Sequence, residues 1–293
     1  MRTMRCCAAI ALAFACLDGF AVVKRHYLPP GAGSAGFVKC VINERPVAAD
    51  VAAKRSEKAK WYSGMWYSNA DPADAFSAAD DGALRMRQGC SICSAPPTWP
   101  ETGVLPLLPG KDGFYVEFEY RVSDNDRDHF PAVWLLPAEK RRGHLPVVKG
   151  ASVENFERYM ELDVDEGGFG PGASTTVHNW WGVGTSIFSR PNPWQEAIKT
   201  NVLDRTAYHT FGASYDPKTS TVCWWLDRQL ITVAHAPYVP SVAAEHNYYL
   251  IVDSWMHEKK KPYDLDLRAV RAFVPPESPL PAVPWDPEGD MGK

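Results

Sequence analysis

Four carboxylates lie within six residues at positions 161–166, in a segment that otherwise has the pattern of a β-strand. The order Glu-Leu-Asp-Val-Asp-Glu alternates acidic with apolar side chains, with the period of two that a half-buried strand requires. Glu161 and Asp163 therefore lie on one face of the strand, and Leu162 and Val164 on the other. Because a hydrophobic core does not accommodate a row of unpaired negative charges, the acidic face must border a cleft or solvent.

The position of the last acid depends on whether the strand contains a β-bulge. A bulge within residues 164–165 places Glu166 on the face of Glu161 and Asp163, and bulges are frequent beside active sites. Without a bulge, Asp165 takes that third position and Glu166 turns to the opposite face. We favour the bulge, because the shorter aspartate side chain reaches less far into a cleft.

Closely spaced carboxylates are the catalytic groups of glycoside hydrolases. A retaining enzyme of this kind needs one carboxylate as nucleophile and one carboxylic acid as proton donor, about 5–5.5 Å apart. Residues 161–166 resemble the E-[ILV]-D-x-x-E signature of glycoside hydrolase family 16 in its bulged form. The resemblance implies that Glu161 is the nucleophile, Asp163 a supporting acid and Glu166 the general acid/base.

Segments on both sides of the acidic strand extend this resemblance. Residues 81–86 are similar to the D-G-x-L-x-[IL] strand of the family, and residues 130–137 to its P-A-[IV]-W-L-[LM]-P segment. Residues 208–227 resemble its F-H-x-[YF]-x…W-x-[IVL]-D-G pattern, with Arg228 in place of the final glycine. His178 stands where the family often has a histidine, on the strand after the catalytic one.

The resemblance implies an all-β fold, a β-sandwich (jelly roll) of two antiparallel sheets with a concave substrate cleft. Residues 114–122 support a sandwich, because apolar and polar side chains alternate along them. No long helical pattern separates the strand candidates, which favours sheet packed on sheet. We expect the catalytic domain to cover residues 58–276. Residues 24–57 would be a linker or N-terminal extension, with the alternative of a strand at the sandwich edge, and residues 277–293 a proline-rich tail.

The first 23 residues have the pattern of a signal peptide. Two arginines precede an apolar run over residues 6–17, which is too short to span a bilayer as a mature helix. We therefore expect a secreted or periplasmic protein.

Aromatic residues are the candidates for binding sugar rings. Our substrate-binding set is Trp134, His178, Trp180, Trp181 and Trp255, with Trp61 and Trp66 as further possibilities. Each tryptophan has the alternative of packing in the core, which aromatic residues dominate in sandwiches. Trp180 and Trp181 lie on opposite faces of an extended segment, so only one of them faces the cleft. His178 has the alternative of a purely structural histidine.

Charge and spacing exclude some classes of protein. A net charge of −4 and an isoelectric point near 6.1 argue against nucleic-acid binding. No set of His, Asp and Glu has metal-ligand spacing along the chain, so we predict no metal and no cofactor. A structural calcium ion would fit the family, with ligands that the sequence does not identify.

Four cysteines remain once the signal peptide is set aside. Cys40, Cys90, Cys93 and Cys223 allow three disulfide pairings, and plain thiols are the alternative. Cys90 and Cys93 have C-x-x-C spacing, but a zinc site would need two further ligands and no second such pair exists.

We predict a retaining, endo-acting glycoside hydrolase that cleaves β-glycosidic bonds in a polysaccharide by double displacement. The expected substrate is a β-1,3- or mixed β-1,3/1,4-glucan, and the expected state is a monomer. Two alternatives stay open: a transglycosylase that uses the same site, and a non-catalytic sandwich that binds glycans.

Overall fold

The computed structural model describes residues 28–52, 58–65, 71–96, 103–140, 159–169, 172–180, 203–256 and 261–285. Within these ranges, helical structure consists of one short α-helix, α1 (Pro30–Ser34), and 3-10 turns at Ala48–Asp50, Ala73–Ala75, Ala138–Lys140 and Ser241–Glu245. None of the helices described is long and apolar enough to cross a membrane. The predicted signal peptide and residues 141–158 and 181–202 lie outside these ranges.

The strands belong to two sheets that pack face to face. In chain order they are β1 (Lys39–Glu44), β2 (Val51–Ala52), β3 (Trp61–Ser63), β4 (Phe76–Ala78), β5 (Leu84–Arg87), β6 (Ser91–Cys93), β7 (Leu108–Pro109), β8 (Phe114–Val122), β9 (His129–Pro137), β10 (Tyr159–Glu166), β11 (Thr176–Trp180), β12 (His209–Asp216), β13 (Thr221–Leu226), β14 (Gln229–Ala234), β15 (Asn247–Met256) and β16 (Asp264–Val274). The first sheet has the order β14-β13-β12-β8-β16-β5-β4, and β1 also pairs with β16. The second has the order β11-β10-β9-β15-β6-β3-β2, and β7 also pairs with β15. All pairings are antiparallel except β2 with β3, so the predicted all-β jelly-roll sandwich is confirmed.

The core lies between the inner faces of the two sheets. Alternate residues of each strand fill it, as the period of two predicts, and Met160 and Leu162 of β10 are completely buried there. Full burial of an apolar side chain of this size stabilises the fold by about 1.5–3 kcal/mol. Trp61 is also completely buried and belongs to this core, so its prediction as a cleft residue was wrong. A short strand, β3, carries it into the sandwich instead of a surface loop.

A third layer covers part of the outer face of the first sheet. Phe37, which lies between α1 and β1, and Cys40 of β1 pack there with Trp225 and Phe273, and Trp285 joins them from the other end of the described chain. The amide of Val283 donates to the carbonyl of Cys40 over 2.9 Å. Described residues of both predicted flanking segments therefore pack onto the sandwich, while the domain boundaries themselves stay a prediction.

Arg228, which stands where the family's pattern has a glycine, makes a contact that a glycine could not make. Asp227 and Arg228 form the two-residue turn between β13 and β14, and both have positive φ angles, of 49° and 64°. Glycine usually relieves such strain. Here the Arg228 guanidinium donates to Glu117 over 3.1 Å, and Arg271 donates to the same oxygen over 3.0 Å. Glu117 is completely buried beneath the third layer, so the second cation helps to compensate its charge.

All four described cysteines are free thiols. Burial raises the pKa of Cys40 and of Cys90 to about 12. Of the alternatives that the sequence left open, the structure has plain thiols and no bridge between Cys90 and Cys93.

Native Cys40, Cys90 and Cys93 should react with iodoacetamide at pH 8 at least about 100-fold more slowly than the same thiols in the unfolded chain, because burial excludes the reagent from all three and, at Cys40 and Cys90, also suppresses the reactive thiolate. Peptide mass spectrometry after timed alkylation measures each site. In guanidinium without reductant, all four thiols should alkylate quickly. A pair that stays unmodified until a reductant is added would reveal a disulfide and contradict the structure.

Candidate active site

The acidic strand β10 lies between β9 and β11 in the second sheet. Its pairing with β9 shifts register between Asp163 and Asp165: Asp163 lies opposite Trp134, and Asp165 opposite Val133. Val164 is therefore the extra residue of a β-bulge, and the bulge predicted from the sequence is confirmed. Because two consecutive residues face inward, the residue after them turns back to the outer face.

The bulge places three acids on one face of the strand. Glu161, Asp163 and Glu166 line a cavity of about 270 Å³ on the outer side of the second sheet. The other lining residues come from β9 and β15: Phe130, Ala132, Trp134, Asp253 and Trp255. Asp165 points into the sandwich and is completely buried. The alternative without a bulge, with Asp165 in the cleft, is therefore excluded.

His178 and Trp180 reach the acids from β11. Glu161 lies directly opposite His178 in the pairing of the two strands. The Nε2 atom of His178 is 3.1 Å from Asp163 Oδ2 and 3.9 Å from Glu161 Oε1, and the Trp180 indole donates to Glu161 Oε2 over 2.9 Å. The two rings stack, with centroids 5.3 Å apart. Together they fix the orientation of the Glu161 carboxylate.

Burial makes all three acids hard to ionise. It raises the pKa of Glu161, of Asp163 and of Glu166 to about 8 each. The charge of Asp163 adds to this effect for both glutamates, whereas His178 lowers the pKa of each. Thr176 donates to Glu166 over 3.2 Å and also lowers its pKa. A cluster of this kind holds and exchanges protons near neutral pH.

The predicted substrate-binding residues have different locations. Trp134 and Trp255 line the cavity, and 37% of the Trp255 side chain is exposed. Trp180 contacts Glu161 and packs partly against the outer apolar cluster around Tyr159. Trp181 and Trp66 lie outside the described residues. The roles of the acids, of His178 and of the tryptophans stay predictions.

Asp253 is a cleft residue that sequence reasoning missed. It is 3% exposed, and its two oxygens accept hydrogen bonds from two indoles: Trp134 over 2.5 Å and Trp255 over 3.1 Å. Ser91 Oγ also accepts from the Trp255 indole, over 3.0 Å. Burial raises the pKa of Asp253 to about 6. This one carboxylate therefore fixes both aromatic rings beside the acids.

Two phenylalanines extend the aromatic wall beyond Glu166. Phe130 pairs with Trp255 across β9 and β15, and Phe169 stands edge-on to Phe130 with ring centroids 5.4 Å apart. Phe169 is 47% exposed, just after the end of β10. Two glycines and one phenylalanine directly after the acidic motif were the available signal, but the sequence did not distinguish this ring from an ordinary loop residue.

A candidate cation site coincides with the acids. Ligand atoms of Glu161, Asp163 and His178 all lie within 4.8 Å of one another. Linear spacing did not predict this set, because its members come from two strands. One histidine and two carboxylates are ligands that zinc accepts. In the structure the Trp180 indole donates to Glu161, whereas Asp163 Oδ2, although 3.1 Å from His178 Nε2, has no hydrogen-bond partner among the described residues.

No model of a known protein family matches the chain, and neither does any curated protein. Solved structures do share its fold. An endo-1,3-β-glucanase from Streptomyces sioyaensis aligns over 82% of this chain and 98% of its own, with 16% identity and a TM-score of 0.53. The GlcNAcα1-4Gal-releasing endo-β-galactosidase from Clostridium perfringens aligns over 83% of this chain and 64% of its own, with 14% identity and a TM-score of 0.51.

A third similar structure belongs to the endo-acting O-glycanases that members of the human gut microbiota express to initiate mucin breakdown. It aligns over 80% of this chain and 99% of its own, with 15% identity and a TM-score of 0.52. At such low identity these likenesses establish the fold. The glycoside hydrolase family 16-like fold that the sequence implies is thus confirmed.

Glu166→Gln should stabilise the protein at neutral and alkaline pH. The pKa of Glu166 in the fold, about 8, is above its ordinary value of 4.5, so the folded state binds this proton more tightly. Stability from this group is fully present below about pH 4.5 and is lost as pH rises towards 8. The glutamine does not titrate, so its advantage should grow over that window to on the order of 2 kcal/mol, or about 4–8 °C in Tm.

Thermal unfolding of both proteins from pH 4 to pH 8.5 measures this difference. Glu277→Gln, at an exposed acid after β16, is the matched control and should show no growing advantage. An advantage for Glu166→Gln that stays constant across the whole pH range would contradict the prediction.

Proposed function

We propose that the protein is a retaining, endo-acting glycoside hydrolase that cleaves β-glycosidic bonds in a polysaccharide by double displacement. The observation that carries the proposal is the bulged strand β10, which directs Glu161, Asp163 and Glu166 into one cleft beside exposed aromatic rings. The shared fold with proteins named as endo-glycanases supports the same class of reaction.

Glu161 is suited to be the nucleophile. The Trp180 N–H occupies its Oε2 atom, which leaves Oε1 available to attack the anomeric carbon. Attack forms a glycosyl-enzyme ester and releases the leaving group. His178 and Trp180 favour the ionised form of Glu161 against the effect of burial, because each lowers its pKa.

Glu166 is suited to be the general acid/base. Burial and the neighbouring Asp163 raise its pKa to about 8, as they do for Glu161, so the reactive form is the one in which Glu161 has lost its proton and Glu166 keeps one to donate to the leaving oxygen. After leaving-group departure, the ionised Glu166 takes a proton from the water that hydrolyses the ester. Asp163 lies between the two glutamates along the strand, and its Oδ2 atom is 3.1 Å from His178 Nε2. From this position it orients the cluster.

The cleft composition favours a neutral polymer. Among the described residues that line it there are aromatic rings and carboxylates, but no lysine or arginine. Trp134 and Trp255 offer flat apolar faces to sugar rings. A sulfated or acidic chain would meet carboxylates without compensating cations, which supports a β-1,3- or β-1,3/1,4-glucan as substrate. We further propose a secreted or periplasmic enzyme, on the N-terminal sequence pattern alone.

The proposal is tested by a reducing-end assay of the wild type and Glu161→Gln on laminarin, mixed-linkage glucan, agarose and carrageenan. The wild type should cleave a glucan and release products that retain the β-anomer, and Glu161→Gln should lose about 10³-fold or more in kcat. Glu277→Gln should keep full activity.

Product sizing separates the alternatives. Products longer than the substrate would assign transglycosylation. Binding of a polymer without cleavage by the wild type would assign a glycan-binding sandwich and overturn the enzymatic proposal.

Asp253→Asn should weaken substrate binding and leave chemistry nearly intact. An asparagine has one carbonyl oxygen, so it can accept from only one of the two indoles, and the other ring loses its anchor. We expect KM to rise about tenfold, which corresponds to about 1.4 kcal/mol, with kcat within about twofold of the wild type. Initial rates on the responding glucan measure both constants. A fall in kcat at unchanged KM would instead assign Asp253 to the proton chemistry.

A further inference from the structure

We propose that the ion pair between Asp165 and Arg205 selects the bulged register of β10 and thereby directs Glu166 into the cleft. Both are positioning residues, since neither lines the cavity. The role of Glu166 in this inference rests on the proposed function, whereas the selection of the register does not.

Asp165 is completely buried and yet fully satisfied. Its Oδ1 atom accepts from Arg205 over 3.0 Å and from the amide of Ser174 over 3.1 Å. Its Oδ2 atom accepts from Arg205 over 2.7 Å and from the Tyr120 hydroxyl. Four donors thus surround one carboxylate, and burial is tolerated because the charge is both paired and hydrogen-bonded.

Arg205 reaches this position from the segment before β12. Its guanidinium donates to Asp165 with both terminal nitrogens, to the Tyr120 hydroxyl over 3.0 Å and to the carbonyl of Gly172 over 3.1 Å. Its carbon Cζ lies 5.5 Å from the centre of the Phe211 ring. The forked, planar donor set matches both carboxylate oxygens, a geometry that lysine cannot reproduce.

The same contacts fix the chain that follows the catalytic strand. Ser174 and Gly172 lie beyond the turn that ends β10, and the Glu166 amide donates to the carbonyl of Ser174 over 2.8 Å. Arg205 therefore holds Asp165 and the returning chain at one point. Glu166 lies between these two attachments, on the opposite face of the strand.

Two registers of β10 compete because residues 165 and 166 are both acids, and either of them can point inward. A register without the bulge would expose Asp165 to the cleft and turn Glu166 inward. Either register buries one carboxylate, Asp165 with the bulge or Glu166 without it, and a buried charge needs a partner in the core. Arg205 favours the bulged register because its guanidinium, the Tyr120 hydroxyl and the Ser174 amide converge on the carboxylate of residue 165.

Removing the cation should therefore disable a folded enzyme. Arg205→Met leaves Asp165 without its partner, and we expect kcat on the responding glucan to fall at least about 100-fold, the usual contribution of a general acid, with KM changed little. Arg205→Lys keeps a charge without the fork and should show a smaller loss of kcat. It also serves as the measured variant should Arg205→Met not fold.

The decisive variant removes the need for the cation. In Asp165→Leu combined with Arg205→Met, the inward residue is apolar, and buried ion pairs are often replaced by apolar residues without loss of stability. We expect kcat within about tenfold of the wild type, so that the second substitution rescues the first. A folded double variant that remains as inactive as Arg205→Met would overturn the proposal, as would a folded Arg205→Met with normal kcat.

Hydrogen exchange tests the register without any substrate. In Arg205→Lys, and in Arg205→Met where it folds, the amides of Glu166 and Ser174 should lose protection, while those of Met160 and Leu162 keep it. Uniform loss along β10 would indicate general destabilisation and overturn the selective role. If the wild type cleaves no polymer, the proposed function fails, and the exchange pattern still decides whether Arg205 sets the register.

Discussion

The two-for-one pairing of Val164 and Asp165 against Val133 is the constraint on which the site depends. Along a regular strand, side chains alternate strictly, so three acids at positions 161, 163 and 166 cannot share a face. One extra inward residue restores the third acid to that face. The chemistry of the cleft is thus a consequence of backbone pairing, and the core beneath it has to accept a carboxylate in return.

Concentrating acids in a buried cleft opposes folding. Glu161, Asp163 and Glu166 are each harder to ionise than in water, and among the described residues His178, Trp180 and Thr176 lower the pKa of the two glutamates. Burial of the large apolar core between the sheets offsets the destabilisation that these acids cause. A raised pKa is also what a general acid requires at neutral pH, so the feature that destabilises the fold is the one that the proposed function uses.

The fold and the acidic face of β10 could be predicted because both follow from patterns of neighbouring residues in the sequence. Alternation identified the strand around Glu161, and the resemblance over residues 81–86 and 130–137 implied the sandwich. Contacts between distant segments could not be predicted in this way. Asp253 anchors Trp134 across 119 residues, and Arg205 meets Asp165 across 40. Nothing near either residue in the chain indicates its partner. The prediction that Trp61 lines the cleft failed for a related reason, because the exposure of a side chain depends on tertiary packing.

The position of β16 has a consequence for how the protein folds. This strand, the last one described along the chain, lies in the interior of the first sheet, with β8 on one side and β5 and β1 on the other. Arg85 of β5 and Arg121 of β8 both donate to Asp266 of β16, across 181 and 145 residues. During synthesis the three strands that pair with β16 precede it, so their edges stay unpaired until β16 emerges, which makes the sheet slow to complete. The like charges of Arg85 and Arg121 disfavour a premature pairing of β5 with β8 until the aspartate arrives between them.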